Sequence, residues 1–322
     1  MSNAPSELRA VTAFAPASVA NVSVGFDLLG FAIGGAGDRV TIRPAPDRSG
    51  VRITAQRGVV TSLPSDPARN TATVALHALL AEQPLPFGLD VEIDKGIPLG
   101  SGMGGSAASA VAAVVAANAF LPTPASSDDL LRWATVGEAA ASGAQHADNV
   151  APCLLGGLTA VVGMDPPRAI ALPVPPGLEC VVIHPHLQIE TRRARAAMRA
   201  EVPLHDHVRQ SMHLAGFVAA CYTGDAMLLG RSVVDLVAEP ARAPLIPGFH
   251  DARVAAEAAG ALAFGISGSG PTVFALTADP AVTARVEEAV LHVFEAGGVA
   301  ADPWSGPVGQ PGAHVLDAIE AA

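Results

Sequence analysis

The segment "PLGSGMGGSAAS" at residues 98–109 combines four glycines with three serines directly before an alanine-rich run. Glycine lets the backbone approach a bound anion closely, because it carries no side chain and tolerates left-handed backbone angles. The free N–H groups in the first turn of a helix point at such an anion, and the helix dipole favours its negative charge. A glycine-rich loop that opens a helix therefore predicts a phosphate-binding site.

Two familiar phosphate loops fit this segment poorly. The stretch Gly100 to Gly105 matches the dinucleotide pattern G-x-G-x-x-G, but five residues separate it from a strand that ends near Asp94. A ribose-binding acid is expected about 20 residues further on, where the sequence has a proline turn. The Walker pattern fails because Ser106 stands where lysine belongs. A tight turn that leads into a packed helix is the purely structural alternative.

The positive charge that a phosphate needs can come from two sources other than a lysine. One is the partial charge at the N-terminus of the alanine-rich helix. The other is a metal ion such as Mg²⁺, which prefers oxygen ligands and keeps several waters. Ser106 would offer its hydroxyl group to that metal. The segment thus predicts a phosphate held by backbone N–H groups and a metal.

Composition and charge argue against several classes of protein. The chain has 322 residues and a formal net charge of −11, which disfavours electrostatic binding to a nucleic-acid backbone. The longest apolar run, at 107–120, is too short to cross a bilayer. Residues 1–10 lack the basic start of a signal peptide, so we expect a cytoplasmic protein. Three scattered cysteines form no CxxC pair, which predicts reduced, buried thiols.

Strands alternate with helices in both halves of the sequence, which predicts two domains with mixed secondary structure. In the first half we expect strands at 8–14, 38–44, 51–56 and 88–94 and helices at 70–82, 105–119 and 127–141. In the second half we expect a strand at 178–185, helices across 191–236, a strand pair around a glycine run at 265–271, and a helix at 281–296. The proline-rich segment 165–177 predicts a boundary that divides the chain into 1–166 and 167–322.

Three segments together resemble the GHMP kinases, the family of galacto-, homoserine, mevalonate and phosphomevalonate kinases. "IPLGSGMGGSAAS" at 97–109 is similar to the phosphate-binding motif of that family, which usually ends G-[LM]-G-S-S-A. Gly105 stands here in place of the first of the two serines. "APASVANVSVGFDLLG" at 15–30 resembles the first family motif, and "GISGSGPTVFAL" at 265–276 resembles the C-terminal glycine loop. Three motifs in order are far more specific than any one of them.

The resemblance implies an α+β fold of two domains, the first like part of a ribosomal protein and the second ferredoxin-like. It also implies ATP as phosphoryl donor, Mg²⁺ as cofactor, a small alcohol as substrate, and a homodimer that binds neither nucleic acid nor membranes. Ser106 and Glu138 would hold the metal. The ATP-binding residues would be Asn70, Pro98, Leu99, Gly100, Ser101, Gly102, Met103, Gly104, Gly105, Ser106, Ala107 and Ala108.

Within this family, the homoserine kinases are the most similar branch. The resemblance lies in "GEAAASGAQHADNVAP" at 137–152, "TRRAR" at 191–195 and "EPARAPLIPG" at 239–248. It implies L-homoserine as substrate and a place in threonine biosynthesis. Arginine suits a carboxylate because its guanidinium group makes forked contacts. The resemblance accordingly assigns Arg195 and Arg242 to the α-carboxylate, although most arginines are simply exposed.

The remaining substrate contacts follow from the same resemblance. Asp27 with Asn21 would accept the ammonium group, although Asp27 could equally be a turn residue. His146 and Asn149 are three residues apart, so we expect both to project from one helical turn. Asn149, which by local reasoning could be a helix cap, would lie nearest the accepting hydroxyl group.

Catalysis would then rest on Asn149, Glu138 and Ser106. Asn149 cannot take up a proton at neutral pH, so it would orient the hydroxyl group, and the neighbouring Asp148 is an alternative base. A kinase for another small alcohol, such as a mevalonate-like compound or a sugar, is the main rival within the family. A catalytically silent relative that binds nucleotide is a second alternative, and a dinucleotide-dependent oxidoreductase is a third.

Overall fold

The computed structural model describes residues 8–60 and 63–320. The start of the chain, on which the expected lack of a signal peptide rests, lies largely outside the described residues. The strands are β1 Leu8–Ala20, β2 Leu29–Ala45, β3 Val51–Gly58, β4 Gly88–Lys95, β5 Leu158–Met164, β6 Pro167–Leu172, β7 Glu179–Pro185, β8 Ala263–Ile266, β9 Val273–Thr277, β10 Ala301–Pro307 and β11 His314–Glu320.

The helices follow the same chain order. They are α1 Thr71–Glu82, α2 Gly105–Asn118, α3 Ser127–Ser142, α4 Val150–Leu155, α5 Thr191–Ala196, α6 Leu204–Thr223, α7 Ala226–Ser232, α8 Glu239–Arg242, α9 Phe249–Ala259 and α10 Pro280–Ala296. A short 3-10 turn, Ala243–Leu245, follows α8. No helix within the described residues is both long and apolar enough to span a bilayer.

The strands form two sheets. The larger sheet has seven strands in the order β11-β1-β2-β4-β3, with β5 paired to β2 and β6 paired to β5, and only β3 and β4 in it are parallel. The smaller sheet has the antiparallel order β10-β7-β9-β8. Separate sheets with helices packed on them confirm the predicted α+β class. Both β6 and the C-terminal β11 belong to the larger sheet, and the division into 1–166 and 167–322 stays a prediction.

Helix α2 lies in the middle of the main hydrophobic core. Ten of its fourteen residues are buried, and it packs against α1, α3 and the strands β1 and β2. Because most of those residues are alanine, the neighbouring elements approach the helix backbone closely. The start of α2 is therefore held rigidly at the point where the glycine loop enters it.

The predicted helix starts are confirmed in detail. Asn70 caps α1, and its side-chain oxygen accepts a hydrogen bond of 3.1 Å from the N–H of Ala72. Ser126 caps α3 in a reciprocal arrangement with Asp129, and each side chain satisfies a backbone N–H group of the other. Both caps are made by residues close together in the chain, so they stabilise the two helix starts locally.

Several strands have no such local signal. Strand β10 contains Pro303, which cannot donate a backbone hydrogen bond, and it lies at the edge of the smaller sheet, where proline is tolerated. The first part of β2 is rich in glycine and includes Gly35 at a φ of +80°. Strand β10 and the first part of β2 were missed because pairing with neighbouring strands, and not their amino-acid composition, keeps them extended.

A buried ion pair connects the larger sheet to the start of α2. Lys95, at the end of β4, is only 4% exposed and its ammonium group donates to the carboxylate of Asp38 in β2. The same group donates to the carbonyl of Gly105 at 2.6 Å and to the hydroxyl of Ser109 at 3.0 Å, both in α2. Asp38 also accepts from Ser109 and from the N–H groups of Gly96 and Ile97. One charge cluster thus fixes the sheet, the loop and the helix relative to each other.

We expect Lys95→Met to lower the free energy of unfolding by about 3 to 5 kcal/mol, because it leaves the Asp38 carboxylate buried without its cation. Arg57→Met is the matched control, since Arg57 forms an ion pair with Glu92 but is 69% exposed, and there we expect a loss of at most about 1 kcal/mol. Chemical denaturation measures both. Equal, small losses would show that the Lys95 pair does not hold the fold together.

Candidate active site

A single cavity of about 650 Å³ gathers most of the predicted site residues. Its wall includes Asn21, Asp27, Asn70, Pro98, Leu99, Gly100, Ser101, Gly102, Gly104, Gly105, Ser106, Glu138, His146, Asn149, Arg195 and Arg242. Three residues of the predicted ATP-binding set do not line it. The side chains of Met103, Ala107 and Ala108 are fully buried in the core instead. Only their backbone groups are therefore left to face a ligand.

Close backbone packing explains the glycines of the loop. Gly100, Gly102 and Gly104 all have left-handed φ angles, between 64° and 82°. A Cβ atom on Gly102 would lie 2.6 Å from the carbonyl of Ser267, and one on Gly104 would lie 2.3 Å from the hydroxyl of Ser18. The first glycine loop consequently rests directly on the C-terminal glycine loop, with no room for a side chain between them.

The first turn of α2 presents its backbone to the cavity. The helical hydrogen bonds begin with the N–H of Ala108, which donates to the carbonyl of Gly104 at 2.9 Å. The N–H groups of residues 105–107 precede this ladder, as in any α-helix. Gly105, where the family motif has serine, lies against Ile97, to which an added Cβ would approach within 3.1 Å. The arrangement suits an anion at the helix start.

Sequence reasoning missed Lys95, which contributes to this cavity from outside the motif. Its ammonium group donates to Gly105 at the start of α2, but Asp38 balances its charge. A signal was available, because Lys95 is the only lysine in the sequence. Lys95 stands ten residues before Gly105 and therefore lies outside the glycine motif.

Glu138 in α3 is not the exposed glutamate that its residue type alone would suggest. It is 8% exposed, and burial raises the pKa of its carboxyl group to about 7. Asp148 raises this pKa further, whereas a hydrogen bond with Ser106 and the charge of Lys95 oppose the shift. A cation beside Glu138 would favour its charged form.

The oxygen atoms of Glu138 and Ser106 are of the kind that a divalent cation binds. Across residues 8–60 and 63–320, no group of three or more His, Cys, Asp or Glu side chains could hold a metal by itself. Two oxygen ligands fit Mg²⁺, which usually takes one or two carboxylates and completes its shell with water and phosphate. The residues present therefore suit a metal that arrives with a nucleotide.

The backbone from Asn21 to Asp27, which brings Asp27 into the cavity wall, is strained. Asn21, Val22, Ser23 and Asp27 all have positive φ angles, and for the β-branched Val22 this is a pronounced outlier. The Asn21 side chain holds the segment, because it donates to the carbonyl of Gly268 at 3.0 Å and accepts from the N–H of Asp27 at 2.9 Å. Strain of this kind persists where the surroundings enforce it, commonly at functional sites.

Asp27 and Arg195, expected to bind opposite ends of a substrate, contact each other here. Nη2 of Arg195 donates to both carboxylate oxygens of Asp27, at 2.8 and 2.9 Å. His146 lies 3.5 Å from the same carboxylate. Arg242 is buried and donates to the carbonyl of Gly268 at 2.8 Å. An acidic group and two guanidinium groups thus converge at one end of the cavity.

Asn149 and His146 lie in the cavity but not on one helical turn, so that prediction was wrong. Helix α3 ends at Ser142 because Gly143 adopts a φ of 79°, and α4 begins only at Val150. Asn149 makes no capping hydrogen bond either. Its side-chain oxygen accepts from the hydroxyl of Ser18 at 2.9 Å, which aims the amide from a loop anchored to β1.

Comparisons with known proteins agree with this geometry. The model of the GHMP kinases N terminal domain matches residues 70–157, and that of the GHMP kinases C terminal matches residues 217–296. A homoserine kinase of Xanthomonas campestris pv. campestris is 49% identical, over 96% of this chain and 95% of its own. A homoserine kinase of Xylella fastidiosa is 47% identical, over 94% and 93%.

Solved structures agree as well. The crystal structure of homoserine kinase from Cytophaga hutchinsonii superposes with a TM-score of 0.92 at 42% identity, over 96% of this chain and 98% of that one. At this coverage both sheets and their helices correspond. The fold predicted from the three motifs is therefore confirmed.

The raised pKa of Asp148 makes the stability of the folded protein depend on pH. Burial, and then the charge of Asp27, raise the pKa of its carboxyl group to about 7. In the unfolded chain an aspartate releases its proton near pH 4. Between these two pH values the carboxyl group of Asp148 is protonated in the folded protein but ionised in the unfolded chain. The contribution of Asp148 to the free energy of unfolding is therefore fully favourable below pH 4 and is lost as the pH rises to 7.

We therefore expect Asp148→Asn to be more stable than the wild type above pH 7, by up to about 4 kcal/mol. The difference should shrink steadily between pH 7 and pH 4, as thermal unfolding at several pH values would show. Asp317→Asn, at an exposed carboxylate in β11, should show no such trend. A pH-independent effect of Asp148→Asn would contradict the assignment.

Proposed function

Because the chain belongs to the homoserine kinases of the GHMP kinase family, we propose that it transfers the γ-phosphoryl group of ATP to the side-chain hydroxyl of L-homoserine. The products are ADP and O-phospho-L-homoserine, a step towards threonine. The observation that carries this proposal is one cavity with two unlike ends. The start of α2 suits a phosphate, and the group formed by Asp27, Arg195 and Arg242 suits a zwitterion.

In this proposal the N–H groups of residues 105–107 and the helix dipole hold the phosphates of ATP. Ser106 and Glu138 hold Mg²⁺, which when bound neutralises phosphate charge. Asn70 is proposed to contact the adenine. Its side-chain oxygen accepts from the N–H of Ala72 and its nitrogen donates to the carbonyl of Pro64, so this contact would use the second N–H or the remaining lone pair.

At the other end, Arg195 and Arg242 bind the α-carboxylate and Asp27 binds the ammonium group. Asn21 acts mainly by fixing the backbone of Asp27, since both ends of its amide are bonded within the protein. His146 borders the same carboxylate and completes the ammonium pocket. A substrate with both charges replaces the contact between Asp27 and Arg195 without leaving either group unpaired.

Asn149, held by Ser18, orients the substrate hydroxyl group towards the γ-phosphate. Phosphoryl transfer depends chiefly on alignment and on charge stabilisation, so an orienting amide can serve where a strong base is absent. Asp148, adjacent in the chain, has a pKa of about 7 and can take up the hydroxyl proton at neutral pH. Asp148 is 4% exposed and lines the cavity.

The two arginines disfavour a sugar, which offers no carboxylate, and Asp27 disfavours mevalonate, which has no ammonium group, so together they favour an amino-acid substrate. The hydrogen bond between Ser106 and the buried Glu138 keeps both proposed metal ligands together, which favours a kinase over a catalytically silent relative. Action as a homodimer in the cytoplasm stays a prediction of the family resemblance.

ADP release by the purified protein, with ATP and Mg²⁺, tests the proposed reaction. The alcohols to compare are L-homoserine, D-homoserine, mevalonate and galactose. We expect turnover with L-homoserine at least tenfold faster than with any other. Preferred turnover of mevalonate or galactose, or no turnover with any alcohol, would overturn the proposal.

Arg195→Ala should weaken homoserine binding by about 1.5 to 3 kcal/mol, the usual value of a charged hydrogen bond. The affinity for ATP should stay unchanged, because Arg195 lies at the other end of the cavity from the start of α2. Isothermal titration with each ligand separates the two effects.

Arg193→Ala provides the control for this experiment, because Arg193 is exposed on the same short helix and does not line the cavity. It should bind both ligands like the wild type. Equal losses of ATP and homoserine affinity in Arg195→Ala would remove Arg195 from the substrate site.

A further inference from the structure

The aromatic ring of Phe26 contacts both arginines of the site, Arg195 and Arg242. Its ring centroid lies 5.3 Å from Cζ of Arg195 and 5.2 Å from Cζ of Arg242. Both distances are within the range of cation–π attraction, in which the negative face of the ring meets a positive charge. Phe26 is not among the residues that line the cavity. Phe26 can therefore affect a ligand through the two arginines that it contacts.

The two guanidinium groups need such a partner because they repel each other. Burial lowers the pKa of Arg242, and the nearby charge of Arg195 lowers it further. Arg195 has Asp27 as a counter-ion. Arg242 has no carboxylate within ion-pair distance among the described residues, and its Nε atom is buried without a hydrogen bond there. The face of Phe26 supplies negative potential next to Arg242, in addition to the more distant carboxylates of Asp235, Asp27 and Asp148.

The other contacts of Arg242 do not replace the ring. Nη1 donates to the carbonyl of Gly268, and Nη2 lies 3.4 Å from the sulfur of Met198, which is only a weak acceptor. The strained segment that ends at Asp27 places ring and carboxylate next to each other in the chain. One short segment thereby holds both arginines, one through an ion pair and both through the ring.

We propose that Phe26 is a positioning residue that selects substrates with a carboxylate, because it holds the guanidinium groups of Arg195 and Arg242 side by side. This inference rests on the proposed function. A carboxylate that enters the cavity meets two cations already brought together, so their repulsion does not have to be overcome during binding. Without the ring the two groups separate, and a substrate carboxylate must gather them again.

The first experiment compares Phe26→Leu and Phe26→Tyr by steady-state kinetics. We expect Phe26→Leu to raise the KM for L-homoserine about tenfold, since two cation–π contacts are lost, while the KM for ATP and kcat change little. Phe26→Tyr keeps an aromatic face and should stay within about twofold of the wild type. Phe26→Leu should leave kcat/KM for 3-amino-1-propanol, which is homoserine without its carboxylate, within about twofold of the wild type.

A second experiment separates electrostatics from packing. Phenylalanine carrying one, two or three ring fluorines at position 26 keeps almost the same shape while its face becomes progressively less negative. We expect the KM for L-homoserine to rise with each fluorine. A KM that stays constant across the series, or an equal rise in the KM for ATP, would overturn the proposal. This series stays informative if Phe26→Leu fails to fold.

Phe14→Leu is the matched control, because Phe14 also has a guanidinium group over its ring, that of Arg39 at 6.0 Å, but lies outside the cavity. It should leave the KM for L-homoserine unchanged. A wild-type protein that does not phosphorylate L-homoserine would defeat the proposed function itself. An active wild type with a flat fluorine series would defeat only the role of Phe26.

Discussion

The ammonium group of Lys95 is shared between the carboxylate of Asp38, the hydroxyl of Ser109 and the carbonyl of Gly105. These contacts join β2, the end of β4 and the start of α2 at one buried point. The glycine loop leads directly into Gly105, so these contacts fix the position of the loop where it enters α2. Since Asp38 balances the charge of Lys95, the negative charge of a phosphate must be met mainly by the helix end and a metal.

The rest of the site is built from groups held in unfavourable states. Burial raises the pKa of Glu138 and of Asp148 to about 7 and lowers the pKa of Arg242. The backbone from Asn21 to Asp27 is strained as well. Perturbed groups and strain that converge on one cavity are characteristic of functional sites. The rigid core around α2 stabilises the fold enough to tolerate them.

Local chemistry decided how much the sequence could predict. The starts of α1 and α3 and the glycine loop were predicted correctly because each is set by a few adjacent residues. Lys95 and Phe26 were missed because only folding brings their partners near. Asp38, the partner of Lys95, is 57 positions away in the chain. Arg195, a partner of Phe26, is much further away in the chain. The helical turn expected at His146 is absent because Gly143, in a left-handed conformation, ends α3 and α4 begins only at Val150. Separation along the chain was thus the main limit.

A crystal structure with a non-hydrolysable ATP analogue, Mg²⁺ and L-homoserine is the most direct measurement of the central claim, that backbone and metal hold the phosphates without a lysine. We expect phosphate oxygens within about 3 Å of the N–H groups of residues 105–107, with Lys95 still bonded to Asp38. A Lys95 side chain turned away from Asp38 onto the phosphates, or a nucleotide bound outside this cavity, would contradict it.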